Sequence, residues 1–121
     1  MMNDVTGLVR VKEHREGPVT VCEIAGELDA SNVEGVLEHV VDAVDLDASG
    51  LALDLTQTSY LDSAGVRILF ELARRLRDRR QNLRIAVPTA GIVRRVLVLT
   101  ALADVVPVDD DIDRSVRALG G

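Results

Sequence analysis

Five residues, Leu-Ala-Leu-Asp-Leu at 51–55, constrain the fold of this chain more than any other stretch. They are nearly all apolar, follow Ser49-Gly50, and form a run of strand rather than helix length. Such a run reads as a central strand covered on both faces, the mark of a parallel sheet flanked by helices. The flanking sequence agrees. Before it, Val33, Val36, Leu37, Val40, Val41 and Val44 recur at helical spacing, with Glu34, Glu38, His39 and Asp42 facing outward. Ser31-Asn32-Val33-Glu34 supplies a capping box at the start of that helix. After the strand, a short loop leads to a second amphipathic helix with Val66, Leu69, Leu72, Ala73 and Leu76 on its inner face.

The same alternation extends to both ends. Val9 and Val11 alternate with Arg10 and Lys12, Glu16-Gly17-Pro18 signals a turn, and residues 19–26 alternate again. These predict an antiparallel hairpin. Asn82 ends the second helix and residues 83–87 form a strand. A third helix opens at Thr89 or Gly91 and ends near Leu102. Residues 104–108 form a short strand that Pro107 confines to an edge. Asp109-Asp110-Asp111 marks the start of a last helix, where the dipole favours negative charge, running to about Leu119. The order ββαβαβαβα predicts an α/β fold in one domain, residues 1–121. Its sheet is mixed and mostly parallel, of about five strands, with an N-terminal antiparallel hairpin and about four helices.

Composition narrows the function classes. A chain of 121 residues with 47% hydrophobic content needs no disulfide or metal to hold a core. Aromatics are 2%, too few for a base-stacking surface, and the net charge is −6 with Lys12 the one lysine. Direct nucleic-acid binding is therefore not expected. Arg74, Arg75, Arg77, Arg79, Arg80 and Arg84 gather near the end of the second helix, where cations meet the negative end of the dipole. Cys22 is the single cysteine, so no internal disulfide forms, and its strand position predicts a buried structural thiol. The first ten residues contain no long apolar run, and residues 92–108 are broken by Arg94, Arg95, Asp104 and Pro107. No membrane insertion is expected, and a soluble, cytoplasmic location follows.

Candidate chemistry concentrates at Tyr60-Leu61-Asp62-Ser63-Ala64-Gly65. Ser63 falls at the rim where parallel strands end and ligands or partners engage. Asp and Ser are both ordinary N-cap residues, so Ser63 is either a plain cap or a modified or reactive serine. Asp62 alone suffices as a cap. A phosphate on Ser63 would be tolerated beside the free N–H groups of the first helical turn, and would add about −1.5 to −2 charges. Other constellations fail on spacing. Asp45-x-Asp47-x-Ser49-Gly50 begins like a calcium loop, but Thr56 stands where the bidentate glutamate belongs. Asp109-x-Asp111-x-Asp113 is followed by Arg114 rather than glycine. His14 and His39 lie in different elements with no cysteine nearby, which argues against zinc, and the Gly-x-Ser-x-Gly elbow of serine hydrolases is absent. No metal or other cofactor is expected.

The stretch LALDLTQTSYLDSAGVRILFELARRL resembles the central motif of the STAS domains, named for sulfate transporters and anti-sigma factor antagonists. Asp54, Leu61, Asp62, Ser63, Gly65 and Leu69 stand where that pattern wants them. IAGELDASN, residues 24–32, is similar to the family's Gly-Glu-Leu-Asp segment before the first helix. The resemblance covers nearly the whole chain in order. It implies an anti-sigma factor antagonist without catalysis of its own. Unphosphorylated, such a protein binds an anti-sigma factor that is a serine kinase using ATP and Mg²⁺, and so frees a sigma factor. Phosphorylation ends the binding, and a serine phosphatase restores the serine. Carried over by motif, Ser63 is the phosphoacceptor. Gly26, Glu27, Leu28, Asp29, Asp62, Ser63, Ala64 and Gly65 form the docking face. Ala64 stands where many relatives have a second hydroxyl, which excludes phosphorylation there. Two alternatives remain: a stand-alone STAS subunit of a membrane transporter complex, with no need of phosphorylation, and a small enzyme using Ser63 or Asp54 directly.

Overall fold

A computed structural model describes residues 9–121. The start of the domain at residue 1 and most of the apolar-run reading over the first ten residues fall outside them. The described residues open on the predicted hairpin, β1 (Val9–Glu16) and β2 (Val19–Leu28). Gly17 turns it at φ 60°, a conformation glycine adopts without a Cβ penalty. Then follow α1 (Val33–Ala43), β3 (Gly50–Asp54), β4 (Thr58–Leu61), α2 (Ser63–Asp78), β5 (Asn82–Ala86), α3 (Ile92–Leu99), β6 (Val108–Asp109) and α4 (Ile112–Ala118). Among the described residues the sheet has six strands in the order β1-β2-β3-β5-β6, with β4 paired to the far end of β2. β1 and β2 are antiparallel and all other pairings are parallel.

Residues 51–55 occupy the centre, as their composition demands. Leu51, Leu53 and Leu55 are fully buried on one face, in a core built with α1, α2 and α3. Ala52 is buried on the other, where Val116 of α4 packs with Val19 and Val21. The predicted inner face of α1, Val33 through Val44, is buried throughout. On α2, Ile68 joins Val66, Leu69, Leu72 and Leu76 inside, while Ala73 is half-buried.

Five local readings need correction. First, the loop between the central strand and α2 contains a strand of its own, β4, so the sheet has six strands rather than about five. Second, the capping box does not form. Asn32, not Ser31, is the N-cap of α1; the Ser31 hydroxyl donates to Asp29 at 2.6 Å, and Glu34 reaches across to Arg67. Third, α3 stops at Leu99, and residues Leu102–Asp104 make a single 3₁₀ turn, anchored by buried Leu102. The last strand is Val108–Asp109 rather than 104–108. Pro107 precedes it and offers only its carbonyl, which accepts from the Ile85 N–H at 3.0 Å. Fourth, α2 ends at Asp78 rather than at Asn82, which opens β5; Arg84 lies in that strand, as the 83–87 reading has it, and pairs with Asp109 instead of meeting the helix dipole. Fifth, the acidic run is divided in labour: Asp109 ends β6, Asp110 pairs with Arg94, and Asp111 caps α4 by accepting from the Arg114 N–H at 2.9 Å.

Candidate functional site: the rim at the start of helix α2

The parallel pairing of β2 with β4 brings the two motif segments together. Gly26 faces Thr58, Glu27 faces Tyr60 and Leu28 faces Leu61, with Ser59 as the extra residue of a bulge. Gly26, at φ 107°, donates its N–H to the Gln57 carbonyl at 3.1 Å, and the Thr58 hydroxyl donates to the Ile24 carbonyl at 2.7 Å. The Asp62 N–H then donates to the Leu28 carbonyl at 3.3 Å and closes the zip.

From there α2 begins. Asp62 is its N-cap: the carboxylate accepts from the Gly65 N–H at 3.0 Å, and its carbonyl accepts from the Val66 N–H. Ser63, the first helical residue, is exposed and is not needed for the cap. Gly65 is buried against β2. A Cβ there would overlap Leu61 Cδ1 and stand 3.0 Å from the Leu28 carbonyl oxygen, so only glycine lets α2 approach this closely.

The neighbouring segment is held as tightly. Asp29 accepts from the backbone N–H and hydroxyl of Ser31, at 2.9 and 2.6 Å. Asn32, 3% exposed, donates from Nδ2 to the Glu27 carbonyl at 2.8 Å and accepts at Oδ1 from the Asp29 N–H at 3.1 Å. It splints Glu27 to Asp29 from beneath. Nothing in the apolar pattern points to this residue; an asparagine three positions after an aspartate, just before a helix, is its only signal. A second unanticipated feature is the ion pair of Arg67 with Glu34, 2.7 Å, which links the second turn of α2 to the first turn of α1.

The structure therefore gathers Gly26, Glu27, Leu28, Asp29, Asp62, Ser63, Ala64 and Gly65 at one rim. Within it, Leu28 and Gly65 are buried, so they shape the surface through their backbone rather than present side chains to it. Glu27, Asp29, Asp62 and Ala64 are half-buried and Ser63 is exposed. Tyr60, 45% exposed, stands beside them on β4. Asp54 lies elsewhere. Its carboxylate accepts from the backbone and hydroxyl of Thr56, at 2.9 and 2.6 Å, and lines a cleft on the α4 side of the sheet with Lys12, His14 and Glu23. His14 is bonded to Glu16 along β1, and His39 of α1 to Glu13 of β1. Cys22 is fully buried on the helical side, and burial, aided by Glu13, pushes its thiol up to about 12. Two arginines of the second helix are held by carboxylates: Arg74 by Glu71 and Asp78 of the same helix, and Arg75 by Glu71 and by Glu38 of α1. No helix among the described residues is long and apolar enough to cross a membrane.

Known proteins share this architecture. An anti-sigma factor antagonist from Mycobacterium paratuberculosis superposes with a TM-score of 0.84 at 20% identity, over 93% of this chain and 95% of that one. The anti-sigma factor antagonist SpoIIAA, unphosphorylated, superposes at 0.72 with 19% identity, over 92% and 97% of the two chains. The phosphorylated form of SpoIIAA, from Bacillus, gives 0.65 at 18% identity, over 89% and 98%. Osmosensory protein A of Mycobacterium tuberculosis is 35% identical over 63 residues, 52% of this chain. The match spans 39% of that longer protein. Residues 10–115 match the STAS domain itself. The chain belongs to the STAS domain family.

Proposed function

We propose that this chain is an anti-sigma factor antagonist switched by phosphorylation of Ser63. One observation carries the reading: an exposed serine at the first position of α2, relieved of capping by Asp62 and set beside the Glu27–Asp29 segment. The fold is that of anti-sigma factor antagonists, one of which, SpoIIAA, exists in unphosphorylated and phosphorylated forms. Unphosphorylated, the rim docks on an anti-sigma factor that is a serine kinase, and the sigma factor is freed. In the complex the Ser63 Oγ forms a bond to the γ-phosphorus of ATP as the bond from that phosphorus to its bridging oxygen breaks. ADP leaves, and the hydroxyl proton passes to a base on the kinase. The docked face then carries a dianion in place of a neutral hydroxyl. An unpaired charge in an interface costs about 2–5 kcal/mol, and each 1.4 kcal/mol is about tenfold in affinity. A serine phosphatase resets the switch.

The test is capture from native lysate on wild type, Ser63→Ala and Ser63→Asp, with bound proteins identified by mass spectrometry. A kinase-type anti-sigma factor should be held by the first two and reduced at least about tenfold on the third. Equal retention on Ser63→Asp, at matched folding, refutes the switch. Transporter subunits on all three baits would instead assign the chain to a membrane transporter complex. Turnover of a phosphate ester that is lost in Ser63→Ala would make it an enzyme.

A further inference from the structure

Arg67 stands four residues along α2 from Ser63, and side chains at that spacing lie on one helix face with Cβ atoms about 6 Å apart. Its guanidinium donates to Glu34 Oε2 at 2.7 Å, and Glu34 belongs to the first turn of α1. The pair is thus a tie between the starts of the two helices that carry the rim. It is a weak one. The Arg67 and Glu34 side chains are 57% and 70% exposed, and ion pairs that open to water add little stability and exchange partners readily.

A phosphate on Ser63 would compete for Arg67 on better terms. It carries more charge than a carboxylate, has three acceptor oxygens and suits the two-pronged geometry of a guanidinium. Acid four residues before base is also the favoured order on a helix. The Asp62 carboxylate is engaged with the Gly65 N–H, and the next arginines of the helix, Arg74 and Arg75, stand about two turns beyond Arg67 and are held by Glu71, Asp78 and Glu38.

We propose that Arg67 is the intramolecular receptor of the Ser63 phosphate, and that it leaves Glu34 when the serine is phosphorylated. This rests on the reading of Ser63 as the phosphoacceptor. The consequence is electrostatic and reaches beyond α2. Before modification the hydroxyl is neutral and Arg67 cancels Glu34. Afterwards a phosphate of about −2 and Arg67 sum to about −1 on α2, while Glu34 is uncovered on α1. Phosphorylation then changes the charge at the starts of both helices, although only one of them carries the serine.

Protein with phosphoserine installed at position 63 during synthesis tests this without any kinase. Wild type, Arg67→Gln and Glu34→Gln are compared with and without the phosphate. Phosphorus-31 titration should show the second pKa of the phosphate about half a unit higher in Arg67→Gln than in wild type, the shift due to losing an exposed charge-assisted pair. Nitrogen-15 spectra report the Arg67 Nε–H. In the unphosphorylated protein this signal should respond to Glu34→Gln; in the phosphorylated protein it should not, because Arg67 has already moved. An unchanged phosphate pKa in Arg67→Gln, or an Arg67 signal that still responds to Glu34→Gln after phosphorylation, overturns the proposal. Kinase binding by the same phosphorylated protein is measured separately. Undiminished binding with Arg67 engaged would sink the proposed function and leave this contact standing.

Discussion

Alanine at position 65 sets two known effects against each other. In a helix interior, glycine is worse than alanine by about 1 kcal/mol, so the substitution should stabilise α2 on backbone grounds alone. The surroundings oppose it. The new Cβ would overlap Leu61 Cδ1, on a side chain only 4% exposed, and stand 3.0 Å from the Leu28 carbonyl oxygen. Leu61 has little room to swing, and the Leu28 carbonyl already accepts from the Asp62 N–H. Overpacking of a filled site costs about 1–3 kcal/mol. With both neighbours held in place the cost falls in the upper half of that range, about 2–3 kcal/mol, so the steric term wins by about 1–2 kcal/mol, or a Tm lower by about 3–8 °C for a chain of this size. Thermal unfolding followed by circular dichroism measures it. Gly35→Ala is the matched control: Gly35 lies in α1 and is exposed, so there the backbone term acts alone and Tm should rise by about 2–5 °C. If Gly65→Ala raises Tm as Gly35→Ala does, Leu61 and the Leu28 strand end yield freely, and the close approach is not what makes glycine necessary.

Asn32→Ala removes both hydrogen bonds of the Glu27–Asp29 splint and should cost about 2–3 kcal/mol by urea unfolding; a loss under about 0.5 kcal/mol would mean water replaces the side chain without penalty. Asp109 is held by Arg84 at 2.9 and 3.0 Å and by the Ser115 hydroxyl at 2.7 Å, and these hydrogen bonds, Arg84 foremost, lower its pKa below the ordinary 3.8. A depressed acid contributes stability that is full above its unfolded pKa and is lost as pH falls through the folded one. Wild type should therefore lose stability below pH 3.8 more steeply than Asp109→Asn, and parallel pH profiles would contradict the assignment. Cys22, its thiol pushed up to about 12, should react with iodoacetamide at pH 8 only through unfolding. Labelling should then accelerate with urea, and fast labelling of native protein would show that the strand opens locally.

The helices and the central strands are legible in the sequence because burial forces a period on them. Val33 to Val44 repeat as a helix must, and Leu51, Leu53 and Leu55 fill a face that only a covered strand can have. The rim obeys no such period. Thr58 and Leu61 are buried while Ser59 and Tyr60 are exposed, because the bulge at Ser59 breaks the two-residue alternation by which a strand is recognised. Asn32 is buried for its hydrogen bonds, so hydropathy does not reveal it, and a plausible capping box competed for the residues on either side of it. Arg67 and Glu34 are 33 positions apart and meet only because α1 and α2 pack side by side. What links these misses is the β2–β4 pairing. It sets Leu28 against Leu61, and Gly65 then seats α2 on both. Because the two segments share that one seat, a displacement of either moves the other. On the proposed function, a partner that reads Ser63 would then read Glu27 to Asp29 as well. This predicts that Asn32→Ala, which leaves the serine untouched, weakens capture of the anti-sigma factor by wild-type rim and Ser63→Ala rim alike. Full capture by Asn32→Ala, under conditions where the variant is folded, would show that the serine end of the rim is read alone.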